Sequence, residues 1–315
     1  MRQTSGGPIW KRFFIAIEWA RSRHGGDSFR PVKPTMQIVD THQHLWDTDL
    51  FRYSWLASVP SLNRSFRMPD YLAAAKELNV VKSVHLEADV DEPYMLDETR
   101  HLLALADRPD NPLEGVVACG RPESESFKAY LDKIAGHPRL KGIRRVLHTQ
   151  PDDVGQGATF IRNVAALSGY NLSFDICVLA RQLPIAIQLV SKCPDVVFIL
   201  DHCGVPPVKE KQLDRWRAHI TEMAKFSNVS CKISGLVAYA DPARWTVEDL
   251  RPFVNHVIAT FGWDRVLFGS DWPVCTLSAS YQQWVEALQV ITKGAGNLNQ
   301  RKLFYDNAIR VYRLA

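Results

Sequence analysis

The sequence lacks the features that mark several protein classes. Its 315 residues contain no apolar run long enough to cross a bilayer. The six cysteines form no C-x-x-C pair, so neither a zinc framework nor a disulfide framework is indicated. No glycine-rich phosphate turn follows the first strand-like run, which argues against a dinucleotide-binding sheet. We therefore predict a soluble, cytoplasmic protein with reduced thiols in its core.

Net charge is +4, and most of the excess lies at the start of the chain. Residues 1–35 carry seven Lys or Arg and two acidic residues, so the remainder is close to neutral. Met36 directly precedes the first apolar strand-like run. We interpret residues 1–35 as a basic, disordered extension upstream of the folded part. The charge of the folded part gives no reason to expect a nucleic-acid or membrane partner, and the sequence does not predict an oligomeric state.

After Met36, short β-branched apolar runs alternate with longer amphipathic stretches. This alternation over residues 36–315 predicts a single-domain α/β protein with a (β/α)8 TIM-type barrel. The predicted strands are 37–44, 80–88, 115–120, 140–148, 171–178, 196–204, 229–235 and 265–271. The predicted helices are 69–78, 93–106, 123–135, 157–167, 179–193, 213–226, 247–261 and 279–291. A closing helix over 301–314 is expected outside the barrel, and the aromatic segment 46–68 is expected to form a loop over its mouth.

Ionisable residues concentrate where the predicted strands end, and in this fold those ends build the active site. His42 and His44 have i, i+2 spacing, so both imidazoles project to the same side of the first strand. Asp271 ends the last strand, and its parity with Leu267 and Gly269 points it into the barrel. A carboxylate among imidazoles is suited to act as a general base for water.

Other strand ends supply further candidates. Parity with Leu200 makes His202, rather than Asp201, the inward member of that pair. Arg144 and His148 share parity, and a guanidinium suits a carboxylate or polyhydroxyl ligand.

Glu87 and Asp175 are interpreted as residues that hold a histidine or an arginine in position, and Lys232 as the weakest candidate. Trp46, Tyr53, Trp55 and Trp272 form either an aromatic wall for a sugar ring or ordinary loop packing.

The motifs His42-Gln43-His44, Gly142-Ile143-Arg144-Arg145, Asp201-His202-Cys203-Gly204 and Gly269-Ser270-Asp271-Trp272-Pro273 fall in the order found in the amidohydrolase superfamily. The chain resembles its amidohydrolase-2 branch, which contains L-fucono-1,5-lactonase, L-rhamnonolactonase-type enzymes and 2-pyrone-4,6-dicarboxylate lactonase. The resemblance covers residues 37–315 and implies a hydrolase that opens a sugar-acid lactone such as L-fuconolactone or L-rhamnonolactone.

The resemblance also implies roles for individual residues. Asp271 would activate water, and the lactone would be bound and its carbonyl polarised by the cationic and imidazole side chains His42, His44, Arg144, His148 and His202. Glu87, Asp175, Trp46, Trp55 and Trp272 complete the predicted substrate site.

Arg144, His148 and Asp175 stand where metal-dependent relatives place a bridging lysine or glutamate and a further histidine. We therefore predict that no metal is required. The alternative is a single zinc or manganese ion held by His42, His44 and Asp271. A lactone isomerase, a decarboxylase and a non-enzymatic sugar-acid-binding barrel remain open as other functions.

Overall fold

The computed structural model describes residues 36–315, so the prediction for residues 1–35 lies outside the described part. Eight parallel strands, hydrogen-bonded in chain order, form one sheet. They are β1 Ile38–Gln43, β2 Val80–Leu86, β3 Leu113–Cys119, β4 Leu140–Val146, β5 Ser173–Cys177, β6 Phe198–Leu200, β7 Val229–Ile233 and β8 Val266–Phe268. Most strand residues are buried on both faces of the sheet, including polar ones such as Asp40, Arg144 and Lys232.

The sheet closes through the segments that carry the candidate site residues. The amide of Asp271 donates to the carbonyl of His42 at 2.7 Å, and the amide of His44 donates to the carbonyl of Trp272 at 2.8 Å. These bonds join the end of β1 to the chain just after β8. The predicted (β/α)8 barrel is confirmed, and its closure places Asp271 beside the paired histidines.

Helices connect the strands and cover the sheet. They are α1 Met68–Ala74, α2 Met95–Ala106, α3 Phe127–Leu131, α4 Ala158–Ala165, α5 Leu183–Lys192, α6 Asp214–Met223, α7 Val247–Phe261 and α8 Tyr281–Thr292, followed by α9 Gly296–Arg301 and α10 Asn307–Tyr312. The core has two layers. A large cluster fills the space between sheet and helices, and a smaller one fills the barrel interior with Val39, Val84, Val117, Ile199 and Leu267.

The closing segment differs from its prediction as a helix outside the barrel. A π-helical turn, Lys302–Asp306, separates α9 from α10. Leu303 and Phe304 pack in the outer cluster, as predicted, but Val311 and Tyr312 belong to the interior cluster. The end of the chain therefore lies beneath the barrel, because interior apolar side chains at its N-terminal end would otherwise face water.

The first loop also has structure of its own. It contains the 3-10 turns Ser54–Ser58 and Pro60–Leu62, and it contributes to the wall of the pocket described below. Across residues 36–315, none of the helices is long and apolar enough to cross a membrane.

Candidate active site

The C-terminal ends of the strands surround a pocket of about 170 Å³. Pockets for drug-sized ligands measure about 300–1,000 Å³, so this one suits a single small ring. Its wall consists of first-loop aromatics, small apolar side chains and ionisable groups from strand ends: His44, Trp46, Trp55, Ser58, Val59, Ala88, Asp89, Arg144, Val146, His148, Thr149, Cys177, His202, Tyr239, Asp271 and Val274. A larger cavity of about 350 Å³ lies between the first loop and α2, but it contains neither the paired histidines nor Asp271.

Asp271 lies in the pocket wall, and two glycines leave the space that the side chains of His42 and His202 occupy beside it. A Cβ at Gly269 would approach the Cβ of His42 to 2.5 Å, and a Cβ at Gly235 would approach Nδ1 of His202 to 2.5 Å. Asp271 itself has a left-handed backbone conformation, with φ of 59°. Aspartate tolerates this region better than most residues, which lets the chain turn the carboxylate inward directly after β8.

One oxygen of Asp271 faces three imidazoles. Oδ1 lies 3.4 Å from Nε2 of His44, 3.7 Å from Nε2 of His42 and 3.9 Å from Nε2 of His202. This oxygen is sealed from solvent and has no hydrogen-bond partner among the described residues. Burial raises the pKa of Asp271 to about 6, although His202 and Arg144 act in the opposite direction. The carboxylate is thus more basic than an ordinary aspartate near neutral pH.

The hydrogen-bond partners of His42 and His44 constrain the protonation of their rings. Nδ1 of His44 is 2.8 Å from the carbonyl of Leu86, which can only accept a hydrogen bond. Nη1 of Arg144, which can only donate, is 3.3 Å from Nε2 of His42. Burial lowers the pKa of both histidines, that of His44 to about 3. Both rings are therefore neutral. His44 carries its proton on Nδ1 and a lone pair on Nε2, whereas His42 has a donor at each nitrogen, because Nζ of Lys232 also lies 3.4 Å from its Nδ1.

The lone pair on Nε2 of His44 faces the Asp271 oxygen, so two acceptors lie next to each other without a donor between them. His42, His44 and Asp271 offer one ligand atom each within 4.8 Å of one another. Two neutral imidazoles and a carboxylate are a donor set that suits a zinc-like divalent ion, and the orphaned oxygen Oδ1 fits that interpretation. A second set, His42, Asp201 and His202, meets the same distance limit, but Asp201 already has cationic partners.

Beneath the pocket lies a set of charged residues that we call the floor network: Glu87, Arg144, Asp175, Asp201 and Lys232. Nζ of Lys232 lies 2.6 Å from Oδ2 of Asp175 and 3.0 Å from Oδ1 of Asp201, the second contact being an ion pair without hydrogen-bond alignment. Nη1 of Arg144 lies 3.4 Å from Oδ2 of Asp201. All three acids and Lys232 are inaccessible to solvent or nearly so.

The floor network extends from the pocket to the opposite end of the barrel. Burial opposes ionisation of Asp201, but the cations Lys232 and Arg144 outweigh it and hold the pKa of this carboxyl well below its usual range. Tyr312 of the closing segment donates to Oδ2 of Asp175 at 2.6 Å. Asp201 in turn faces Nδ1 of His42 at 3.3 Å, so the network fixes the orientation of that ring.

The structure corrects the prediction that Asp201 faces outward. Leu200 belongs to the outer cluster and Ile199 to the interior cluster, so strand alternation points Asp201 inward. His202 also enters the pocket, because it leaves the strand with a left-handed φ of 51°. The prediction was wrong because Leu200 faces outward and because the chain turns sharply after β6. Only this turn brings two consecutive side chains to the same centre.

Three other predicted substrate residues lie outside the pocket wall. Trp272 is buried against Phe66 and Tyr71, with ring centroids 5.5 Å apart in each pair. Glu87 and Asp175 belong to the floor network and are covered by their partners. Their side chains leave the strands below the mouth, so they act on a ligand only through neighbours.

Most of the remaining predicted residues line the pocket: His44, Trp46, Trp55, Arg144, His148, His202 and Asp271. His42 is fully buried behind the wall, and Tyr53 lines the larger cavity and donates to Glu98. Trp46 and Trp55 meet edge to face with centroids 5.5 Å apart, and Nε1 of Trp55 donates to the carbonyl of Ala88 at 2.8 Å. Nδ1 of His148 lies 3.3 Å from the thiol of Cys177. Burial lowers the pKa of His148 to about 4, so this ring is neutral.

Sequence reasoning missed Asp89 and Tyr239 in the pocket wall and undervalued Lys232. Asp89 and Tyr239 lie in loops beyond their strands, where strand periodicity carries no information. Lys232 has a detectable signal, since it lies inside the apolar run of β7 and shares parity with Ser230 rather than with the outer residues Cys231 and Ile233. A lysine at an interior position must be paired.

A closed parallel barrel with acid and imidazole groups at its C-terminal mouth has the architecture of a (β/α)8 enzyme. The family model described as amidohydrolase matches residues 39–314. The chain therefore belongs to the amidohydrolase family, as its motifs predicted.

Three similar proteins illustrate the relationship. L-fucono-1,5-lactonase of Burkholderia multivorans is 32% identical over 258 residues, covering 78% of this chain and 85% of the relative. L-fucono-1,5-lactonase of Burkholderia ambifaria is 27% identical, covering 88% and 95%. The crystal structure of a Burkholderia multivorans amidohydrolase with bound zinc has a TM-score of 0.80 and 29% identity, covering 89% of this chain and 100% of that chain.

Proposed function

We propose that this protein is a hydrolase that opens a sugar-acid lactone, with an aldonolactone such as L-fuconolactone or L-rhamnonolactone as its substrate. The names of the two Burkholderia relatives support the lactone class. The observation that carries the proposal is the Asp271 carboxylate, buried without a hydrogen-bond partner among imidazoles in the wall of a ring-sized pocket. Such a group is costly to bury unless it is used.

In the proposed reaction Asp271 is the general base. Its raised pKa lets it accept a proton from water near neutral pH. As this proton moves to Asp271, the water oxygen attacks the lactone carbonyl carbon and forms a C–O bond. When the bond between that carbon and the ring oxygen breaks, protonated Asp271 returns its proton to the ring oxygen, and the product is the open hydroxy acid.

The negative charge that develops on the lactone carbonyl oxygen during attack is stabilised by hydrogen-bond donors. His44 presents a lone pair next to Asp271, so its proposed role is to accept a hydrogen bond from the attacking water and hold that water beside the carboxylate, with His42 on the other side of the same oxygen. Donors toward the substrate are available from His148, His202 and Tyr239 in the pocket wall. Trp46 and Trp55 provide the apolar faces against which a sugar ring can pack.

A divalent ion fits His42, His44 and Asp271, and when bound it would lower the pKa of a water molecule. We propose that the reaction does not require it, because the Asp271 carboxylate can serve as a general base that accepts a proton while water attacks. Treatment with a chelator followed by gel filtration is expected to leave turnover within about twofold. Loss of activity on chelation, with recovery on adding zinc or manganese, would contradict this.

The test of the function is proton release from a panel of aldono-1,4- and 1,5-lactones, followed with a pH indicator. We expect acid release with the wild-type protein and a loss of about 10²- to 10⁴-fold in kcat for Asp271→Asn. Asp264→Asn is the matched control, because this exposed carboxylate pairs with Lys302 away from the pocket. An isomerase would consume the lactone without acid release, a decarboxylase would release carbon dioxide, and a binding barrel would do neither.

A further inference from the structure

Asp89 is a second carboxylate in the pocket wall, and it has no part in the mechanism above. It lies three residues beyond the end of β2, and its side chain remains 26% exposed. Its carboxylate makes no hydrogen bond within residues 36–315. The nearest cation is Nη2 of Arg121 at 3.8 Å from Oδ1, beyond hydrogen-bond distance.

The backbone holds Asp89 in this position. The amide of Asp89 donates to Oε2 of Glu87 at 2.6 Å, and the residue has a left-handed φ of 51°. His202 and Asp271, which also line the pocket, have the same unusual conformation. Left-handed non-glycine residues persist where surrounding contacts enforce them, and they concentrate at functional sites.

The pocket has little positive charge to offer a ligand. Arg144 is the single Lys or Arg among the described residues of its wall. The guanidinium of Arg144 has five N–H groups. Nε donates to the Glu87 carboxylate, and one N–H of Nη2 donates to the Glu87 carbonyl. The two N–H groups of Nη1 face His42 and Asp201. A carboxylate on the substrate would therefore meet two aspartates and a guanidinium that is already engaged.

The surroundings of Asp89 suit hydroxyl groups instead. An ionised carboxylate accepts hydrogen bonds and cannot donate them, and hydroxyl groups on a ring are its natural partners. Trp55 is anchored to the carbonyl of Ala88, the residue directly before Asp89, so an apolar ring face lies next to the free acceptor. In a small-ligand pocket, a few polar groups placed among apolar walls fix the orientation of the ligand.

We propose that Asp89 accepts hydrogen bonds from the hydroxyl groups of an uncharged, polyhydroxylated lactone ring and selects it over unsubstituted and carboxylated lactones. This proposal rests on the lactonase function and specifies its substrate class. Asp89 makes no bond to the reacting carbonyl and is a specificity-determining residue.

The experiment compares two lactones with the same six-membered ring, L-fucono-1,5-lactone and δ-valerolactone, which has no hydroxyl groups. For Asp89→Asn we expect kcat/KM to fall about 10- to 100-fold with the sugar lactone and less than about twofold with δ-valerolactone. Asparagine tolerates the left-handed conformation, so the backbone is retained. Asp195→Asn, an exposed carboxylate before β6, is the control and should change neither value.

Equal losses with both lactones would show a merely structural role and overturn the proposal, as would unchanged kcat/KM with the sugar lactone. L-fucose is a neutral sugar ring that cannot be hydrolysed. Its binding, measured by calorimetry, therefore tests the role of Asp89 separately from the lactonase function. If wild type cleaves neither lactone but binds the sugar, and Asp89→Asn weakens binding at least tenfold, the lactonase function fails and the role of Asp89 stands. Equal binding of the sugar by both proteins, or no binding to either, overturns the role of Asp89.

Discussion

The floor network and the pocket wall both contain buried or half-buried carboxylates, but the two regions differ in how closely cations approach these groups. Asp175 and Asp201 lie within 3.0 Å of Lys232. Asp271 and Asp89 make no hydrogen bond through their carboxylates within residues 36–315. A buried charge with a partner is part of the scaffold, whereas one without a partner costs stability. The comparison separates residues that hold the site from residues that act in it.

The largest effect on stability is expected from breaking the floor network. Lys232→Met removes the cation shared by Asp175 and Asp201 and leaves two buried carboxylates with fewer partners. We expect the free energy of unfolding to fall by about 3–5 kcal/mol, measured by urea denaturation. Lys192→Met at the exposed end of α5 is the control and should stay within about 0.5 kcal/mol. A change below about 1 kcal/mol for Lys232→Met would show that the network is not a scaffold.

The pH dependence of activity tests the pocket wall. The pKa of Asp271 is raised to about 6, and the base must be deprotonated to accept a proton from water. In chelator-treated protein, kcat/KM should therefore rise about tenfold per pH unit up to about pH 6 and level off above it. A profile that is flat between pH 4.5 and 7 would rule out Asp271 as the titrating base.

A smaller effect is expected at the far end of the floor network. Tyr312→Phe removes one hydrogen bond to Asp175 and leaves Lys232 in place, so the free energy of unfolding should fall by about 1 kcal/mol. Turnover should stay within about threefold. Tyr305→Phe, in the same closing segment, changes a hydroxyl for which the described residues provide no partner, and it should have almost no effect. A loss of turnover of tenfold or more for Tyr312→Phe would mean that this end of the network takes part in the chemistry.

The sequence predicted the barrel because short β-branched apolar runs alternate eight times with amphipathic helical stretches. It predicted the meeting of His42, His44 and Asp271 because parallel strands present their carboxyl ends on one side of the barrel. It did not predict Asp201 or the true position of the closing segment. Residues with a left-handed backbone conformation, such as His202, break the alternation of side chains along a strand, so strand parity does not predict where the following side chains point. The insertion of Tyr312 beneath the barrel depends on long-range packing that local patterns do not contain.

The most direct test of the account is the stability of Asp271→Asn. Because the folded-state pKa of Asp271 lies above the unfolded value, its ionisation destabilises the fold as pH rises from about 4 to 6. Urea denaturation at pH 7.5 should therefore show the variant to be at least as stable as wild type while its turnover is lost, with the advantage shrinking toward pH 4. A variant destabilised by several kcal/mol at pH 7.5 would contradict the account, since Asp271 would then hold the fold together like the floor network.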